Sequence, residues 1–195
     1  MQNTIVVIIG YFCGSIPFGL LLTRAAGLGD VRKIGSGNIG ATNVLRTGNK
    51  KIAALTLLCD VLKGLIPVLI GIKLAGTMGA EMAGFAALAG HVFPIWLNFK
   101  GGKGVATALG IMLGWTWPVA LVGLITWVLV FYLRRVSSLS ALCAATLAIP
   151  ASLYFAPDFF VAVCALAVII WITHRANIQR LLKGVEPRSS FSKAP

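Results

Sequence analysis

Acidic side chains are scarce in this sequence: five Asp plus Glu stand against 17 Lys plus Arg in 195 residues. No carboxylates cluster, which argues against a Mg²⁺-dependent transferase, because such a site needs several oxygen ligands together. Cys13, Cys59, Cys143 and Cys164 lie scattered in apolar stretches, with no C-x-x-C spacing and no histidine at a ligand interval. They read as small buried hydrophobes, and neither a metal nor another cofactor is expected. Charge of either sign is thin, at 11% of residues, against about a quarter in a soluble domain.

Apolar residues fill the space, at 58% of the chain with a mean hydropathy of +0.91. So much apolar surface excludes both a soluble monomer and a disordered chain. The chain reads as all-α and integral to the membrane, with residues 1–195 forming a single polytopic domain. Its formal charge of +12 reports topology, since basic residues collect on the cytoplasmic side. Nucleic acid is therefore not expected as a partner.

Residues 5–22, 52–74 and 82–97 each come close to the length of one span, which is ~20 residues. No basic residue precedes the first run, so it reads as a retained span rather than a cleaved signal. Residues 105–133 are too long for one comfortable helix and too short for two full ones. Two crossings, turning at Trp115, Trp117 and Pro118, keep Lys100, Lys103, Arg134 and Arg135 on one side. Residues 142–155 and 159–173 then form a short hairpin, giving a seven-span helical bundle with the N-terminus outside and the C-terminus cytoplasmic. Every Lys and Arg from Arg24 to Lys193 falls inside except Lys63 and Lys73. Short inner loops dipping into the bilayer would create a recessed pocket.

Polarity concentrates in those inner loops. The first reads Lys33-Ile-Gly35-Ser36-Gly37-Asn38-Ile-Gly40-Ala-Thr42-Asn43-Val-Leu-Arg46. Its G-x-G-x-x-G spacing matches a dinucleotide fingerprint, but no strand precedes it and no βαβ unit fits around it. Close glycines let backbone N–H groups converge on an anion, and Ser36, Thr42, Asn43 and Arg46 add side-chain donors. A flexible connector is the alternative. The second loop, Lys100-Gly-Gly102-Lys103-Gly104, repeats the pattern and runs into a helix at Val105, whose first N–H groups attract anions. It is not a Walker A sequence, because no glycine stands at the required position upstream.

A third inner loop, residues 134–140, offers Arg134, Arg135 and three serines, including Ser140. In the fourth, a continuing helix would place His174 and Asn177 three apart on one face; His174 is either a site residue or an interfacial one. His91 stays unassigned and, at membrane depth, requires a partner. Asp60 and Lys63 suit an ion pair or a loop anchor. Gly14, Gly19 and the glycines of residues 84–90 suit close helix contacts.

Taken in order, the first loop from Gly35 to Arg46, Gly90-His-Val-Phe-Pro94, Phe99-Lys-Gly-Gly-Lys-Gly-Val-Ala-Thr107, Arg135-Val-Ser-Ser-Leu-Ser140 and His174-Arg-Ala-Asn177 resemble the bacterial acyl-phosphate:glycerol-3-phosphate acyltransferases, the PlsY family. The resemblance covers essentially the whole chain. It implies transfer of a fatty acyl group from acyl phosphate to the 1-hydroxyl of sn-glycerol 3-phosphate, the first step of phospholipid synthesis, at the cytoplasmic face of the bacterial inner membrane. By similarity, Ser36, Arg46, Lys103, Ser140, His174 and Asn177 line the glycerol 3-phosphate pocket, with all but Ser140 given catalytic roles. Asn38, Gly40, Thr42, Asn43 and Gly102 hold the acyl phosphate. The expected partners are these two substrates and membrane lipid, with the chain acting as a monomer.

An acyl phosphate is a mixed anhydride with a good leaving group, so direct transfer without an acyl-enzyme is expected, driven by positioning. The proton goes to His174 or to a substrate phosphate oxygen; the sequence does not choose. Composition alone also leaves acyl-CoA and acyl carrier protein open as donors. A transporter of a phosphorylated small metabolite would share the basic loops but needs a polar path. The spans are nearly free of charged groups and histidine apart from Asp60, Lys63 and His91, with Lys73 near an outer end.

Overall fold

The computed structural model describes residues 1–188, so Lys193 of the expected inner basic set lies outside the described residues. Among the described residues every regular element is a helix. Four helical stretches are long and apolar enough to cross a membrane, or up to five when the bent pair Pro157–Thr173 and Arg175–Leu182 counts as one span. The chain divides into two compact units, Met1–Gly114 and Trp115–Pro195.

In the first unit, α1 (Gln2–Ser15) is followed by α2 (Phe18–Ala25). The break falls at Ile16-Pro17, where the proline forces its predecessor into extended backbone at φ −65°, ψ 117°. The long helix α4 (Lys50–Val92), opened by the Asn49 side chain accepting the Ile52 N–H, is itself broken at Ala75 and Gly76. Gly71 and Gly79 lie eight positions apart, yet a Cβ on either would strike the other's carbonyl. Eight residues of unbroken helix rise about 12 Å, so this contact means that the chain doubles back. The two arms, residues 50–74 and 77–92, match the expected division into two helices, but the second starts and ends five residues before the expected 82–97, and Ile95–Leu97 is a separate 3₁₀ turn.

A seam of small residues locks α1 to the second arm: side chains at Gly10, Gly14 or Gly90 would collide with the carbonyls of Ala83, Ala87 and Tyr11. Without a hydrophobic force between helices in lipid, such close backbone approach is what holds them. Gly19 differs from its expected helix–helix role, since it clears the Ile39 carbonyl of the first loop. Tyr11 donates to the Phe93 carbonyl at 2.8 Å, and Trp96 Nε1 donates to Ser15 Oγ at 2.9 Å. The short helix α5 (Val105–Trp115) packs on the first arm through Gly64 and Gly110. Its 11 residues rise about 16 Å, half of a hydrocarbon core.

In the second unit, α6 (Trp117–Arg134) follows a break at Thr116, within the turn expected between Trp115 and Pro118. Arg135 turns the chain in the left-handed region at φ 58°, and α7 (Ser137–Phe155) begins two residues later. The expected loop over residues 134–140 is thus only a two-residue link, because Ser137, Ser138 and Ser140 form the first turn of α7. After a turn at Pro157–Phe159, where Trp115 stacks on Phe159 at 5.8 Å, come α8 (Phe160–Thr173) and α9 (Arg175–Leu182). The bend between them is 63° and falls at His174, so the condition of a continuing helix is not met there.

Candidate active site

The sequence-predicted residues fall into three groups, two in the first unit and one in the second. The first is gathered around Asn43, which sits in the one-turn helix α3 (Ala41–Val44) and is 2% exposed. Its Nδ2 donates to the carbonyls of Val31 (2.8 Å), Ile34 (3.1 Å) and Asn38 (2.8 Å). Its Oδ1 accepts the Ser36 N–H at 3.0 Å and an Arg46 guanidinium N–H at 3.4 Å. The amide expected to bind substrate is therefore engaged inside the loop, and its work is to shape it. Beneath it, Val31, Ile39 and Val44 pack with Leu20 and Ala53 in a small apolar core.

Ser36 is left exposed on the loop and Arg46 half-buried beside it. Gly35 lies between them at φ 55°, where a Cβ would meet Asn43 Oδ1 at 2.5 Å and the Arg46 guanidinium at 2.6 Å. Thr42 and Gly40 are half-buried. Asn38 Oδ1 is buried without a hydrogen-bond partner among the described residues, while Asn38 Nδ2 faces Gly40. At the loop's entry Asp30 is bound by Arg32 and Arg24. The Arg32 guanidinium, with the same residue's N–H, holds that carboxyl well below the usual carboxylate range.

The second group is the loop before α5. The Gly101 N–H donates to the Val92 carbonyl and the Gly102 N–H to the His91 carbonyl, both at 3.0 Å. Gly102 thus contributes space rather than a donor. Lys103 follows immediately, and α5 makes its first helical bond from Ala108 N–H to the Gly104 carbonyl, leaving the preceding N–H groups at its start unmatched within the helix.

The third group lies at the bend of the second unit. His174 is 2% exposed and its Nδ1 lies 2.8 Å from the Ile170 carbonyl. A carbonyl only accepts, so in the neutral ring Nδ1 carries the proton and Nε2 the lone pair. Asn177, 3% exposed, donates through Nδ2 to Glu186, which leaves its Oδ1 buried without a partner among the described residues. The Ser140 hydroxyl donates to the Val136 carbonyl at 2.9 Å, closing the first turn of α7.

Glu186 was not among the sequence-predicted residues. Its carboxylate also accepts from Ser138 Oγ at 2.7 Å and Arg180 Nε at 2.6 Å. Burial alone would raise its pKa, but these three donors outweigh it and hold the group below its ordinary value. The available signal was its rarity: it is one of five acids in the chain, and it stands in a basic tail.

The chain is similar to known proteins along almost its whole length. A family model described as glycerol-3-phosphate acyltransferase matches residues 4–184. A glycerol-3-phosphate acyltransferase of Mesorhizobium japonicum is 59% identical over 92% of this chain and 92% of its own length. One from Bartonella henselae is 53% identical over 94% of this chain and 90% of its own. Among solved structures, the integral membrane glycerol 3-phosphate acyltransferase PlsY in its glycerol 3-phosphate form superposes with a TM-score of 0.91 at 37% identity, covering 97% of this chain and 96% of that one. Its lysophosphatidic acid form gives 0.90 at 36% identity, covering 99% and 98%. The chain belongs to the glycerol-3-phosphate acyltransferase family.

Proposed function

We propose that this acyltransferase takes its acyl group from acyl phosphate and delivers it to the 1-hydroxyl of sn-glycerol 3-phosphate, releasing inorganic phosphate and 1-acylglycerol 3-phosphate. The observation that carries the reading is the pair of cationic loops in the first unit, one presenting Ser36 and Arg46 on a scaffold organised by Asn43, the other presenting Lys103 at the start of α5. The relatives' names and the glycerol 3-phosphate and lysophosphatidic acid forms of PlsY support the acceptor and product.

Arg46 offers a planar fork and Lys103 a mobile point charge, a combination suited to a phosphate dianion. Thr42, Gly40 and Asn38 belong to the acyl phosphate's side of the first loop. The acceptor hydroxyl attacks the acyl carbon, the C–O bond to phosphate breaks, and the phosphate leaves with the electron pair, with no acyl-enzyme between. Holding the two substrates together supplies up to roughly 7 to 11 kcal/mol of the barrier. Asn177 Oδ1 is an acceptor for a glycerol hydroxyl. The proton has two destinations, His174 Nε2 or a substrate phosphate oxygen, and these separate in His174→Gln: loss of the chemical step assigns it to the imidazole, retention to the phosphate.

We also propose that the chain acts as a monomeric, single membrane domain of seven crossings, N-terminus outside, in the bacterial inner membrane with the site on the cytoplasmic side. The basic loops, with only Lys63 and Lys73 outside that set, support the orientation. The test of function uses purified protein in lipid without added metal, palmitoyl phosphate and glycerol 3-phosphate, following phosphate release and lysophosphatidic acid. Product should form from palmitoyl phosphate, fail with palmitoyl-CoA, and disappear in Arg46→Ala and Lys103→Ala. Trapping an acylated Ser36 during turnover would sink direct transfer.

A further inference from the structure

We propose that His91 is a positioning residue of the second loop: its imidazole sets where the Gly102-Lys103 backbone lies, and position 102 must be glycine to clear that ring. The inference rests on the reading of Lys103 as a phosphate ligand and deepens it.

His91 ends the second arm of α4 and is 4% exposed. One edge of its ring faces polar partners: Nδ1 lies 3.2 Å from Thr107 Oγ1 on α5 and 4.0 Å from Asp60 Oδ1 on the first arm. Asp60 is itself tied to Lys63 at 2.7 Å. The opposite edge lies against the loop, and a Cβ on Gly102 would run into Nε2. The backbone joins in, since the His91 carbonyl accepts the Gly102 N–H and the next carbonyl, of Val92, accepts the Gly101 N–H. A side chain on Gly101 would strike the same His91 carbonyl. One residue therefore holds the loop by ring and carbonyl together, while Asp60 and Thr107 fix the ring. Phenylalanine would fill the same space without these polar partners, and asparagine would keep the Thr107 partner while withdrawing from Gly102.

That difference gives the test, a double-mutant cycle in the full-length protein in lipid with both substrates varied. Gly102→Ala should raise KM for glycerol 3-phosphate about tenfold or more by displacing Lys103, and KM for acyl phosphate with it. His91→Asn/Gly102→Ala should recover to within about threefold of His91→Asn alone, because contacting residues are non-additive. If Gly102→Ala is as harmful in the His91→Asn background as in the wild type, the proposal is overturned, since the glycine would then serve substrate approach. If Gly102→Ala does not fold, recovery of folded, active double variant supports it. If neither folds, His91→Asn and His91→Phe decide: raised KM for glycerol 3-phosphate supports positioning, and wild-type constants overturn it. Direct binding of glycerol 3-phosphate to Lys103→Ala separates the two levels. Unchanged affinity there means that the loop is no phosphate site; weakened affinity without rescue in the cycle means that only the role of His91 fails.

Discussion

The side-chain oxygen of Asn43 accepts the backbone N–H of Ser36 at 3.0 Å across seven positions of chain. The serine is thus placed by a buried amide rather than by its own neighbours. The same amide collects three carbonyls through its NH₂, so the glycine-rich loop is a built scaffold and not a flexible connector.

Asn43→Asp keeps the acceptor but removes every donor, leaving the carbonyls of Val31, Ile34 and Asn38 facing a carboxylate. Each unsatisfied buried group costs about 1–3 kcal/mol. We expect faster proteolysis within residues 30–47 and activity lowered by at least tenfold, estimated as roughly 1.4 kcal/mol of lost positioning. A protease pattern identical to wild type would refute the scaffold role.

Arg46→Lys preserves charge but loses the fork, and a bidentate site does not tolerate that exchange. KM for glycerol 3-phosphate should rise by about tenfold to a hundredfold, a loss of about 1.4–2.8 kcal/mol. Ser36→Ala should also be costly, whereas Lys50→Ala, an exposed residue at the start of α4, should stay close to wild type. Equal losses in Ser36→Ala and Lys50→Ala would misplace the loop.

Glu186 anchors the tail with a carboxylate held below its ordinary 4.5. A depressed folded value means that this stabilisation is complete above pH 4.5 and disappears as pH falls through the lower folded value. Protection of the C-terminal segment from protease should therefore persist down to that region and then fall, and Glu186→Gln should flatten the dependence. At neutral pH, Glu186→Ala should cost about 1.5–3 kcal/mol of stability and raise KM for glycerol 3-phosphate by releasing Asn177.

Asp60 and Lys63, each 2% exposed, form the pair their i, i+3 spacing predicts. Breaking a buried pair from one side costs about 3–5 kcal/mol, while replacing both partners by apolar groups is often milder. Thermal unfolding in detergent should rank Asp60→Leu/Lys63→Met above either Asp60→Leu or Lys63→Met. A double variant as unstable as the worse single would contradict the pairing.

Helix positions were partly legible from apolar length: the turn at Thr116 falls between Trp115 and Pro118, whereas residues 5–22 read as one helix and Pro17 breaks them into α1 and α2. The small-residue seam was legible at Gly14 and Gly90, since only close approach explains glycine there. The candidate site was half legible. Types and spacing marked the loops, but not which way a side chain turns, so Asn43 read as a ligand although it faces inward. Ser140 read as a loop donor because nothing local signals that α7 starts at Ser137. The bend at His174 and the return of Glu186 to Asn177, nine residues back, are irregular turns that periodicity does not carry.

The Ile16 carbonyl at the break between α1 and α2 accepts the Phe18 N–H at 3.0 Å and, at 2.8 Å, Lys63 Nζ, 47 residues later in the chain. During biosynthesis the first apolar segment therefore enters the lipid with only the local bond at its break. The second, charged donor reaches it only when the helical hairpin of α4 arrives beside it. Assembly order is thus written into the break, and a truncated chain ending before Lys63 inserts a segment that quality-control proteases should recognise as unfinished.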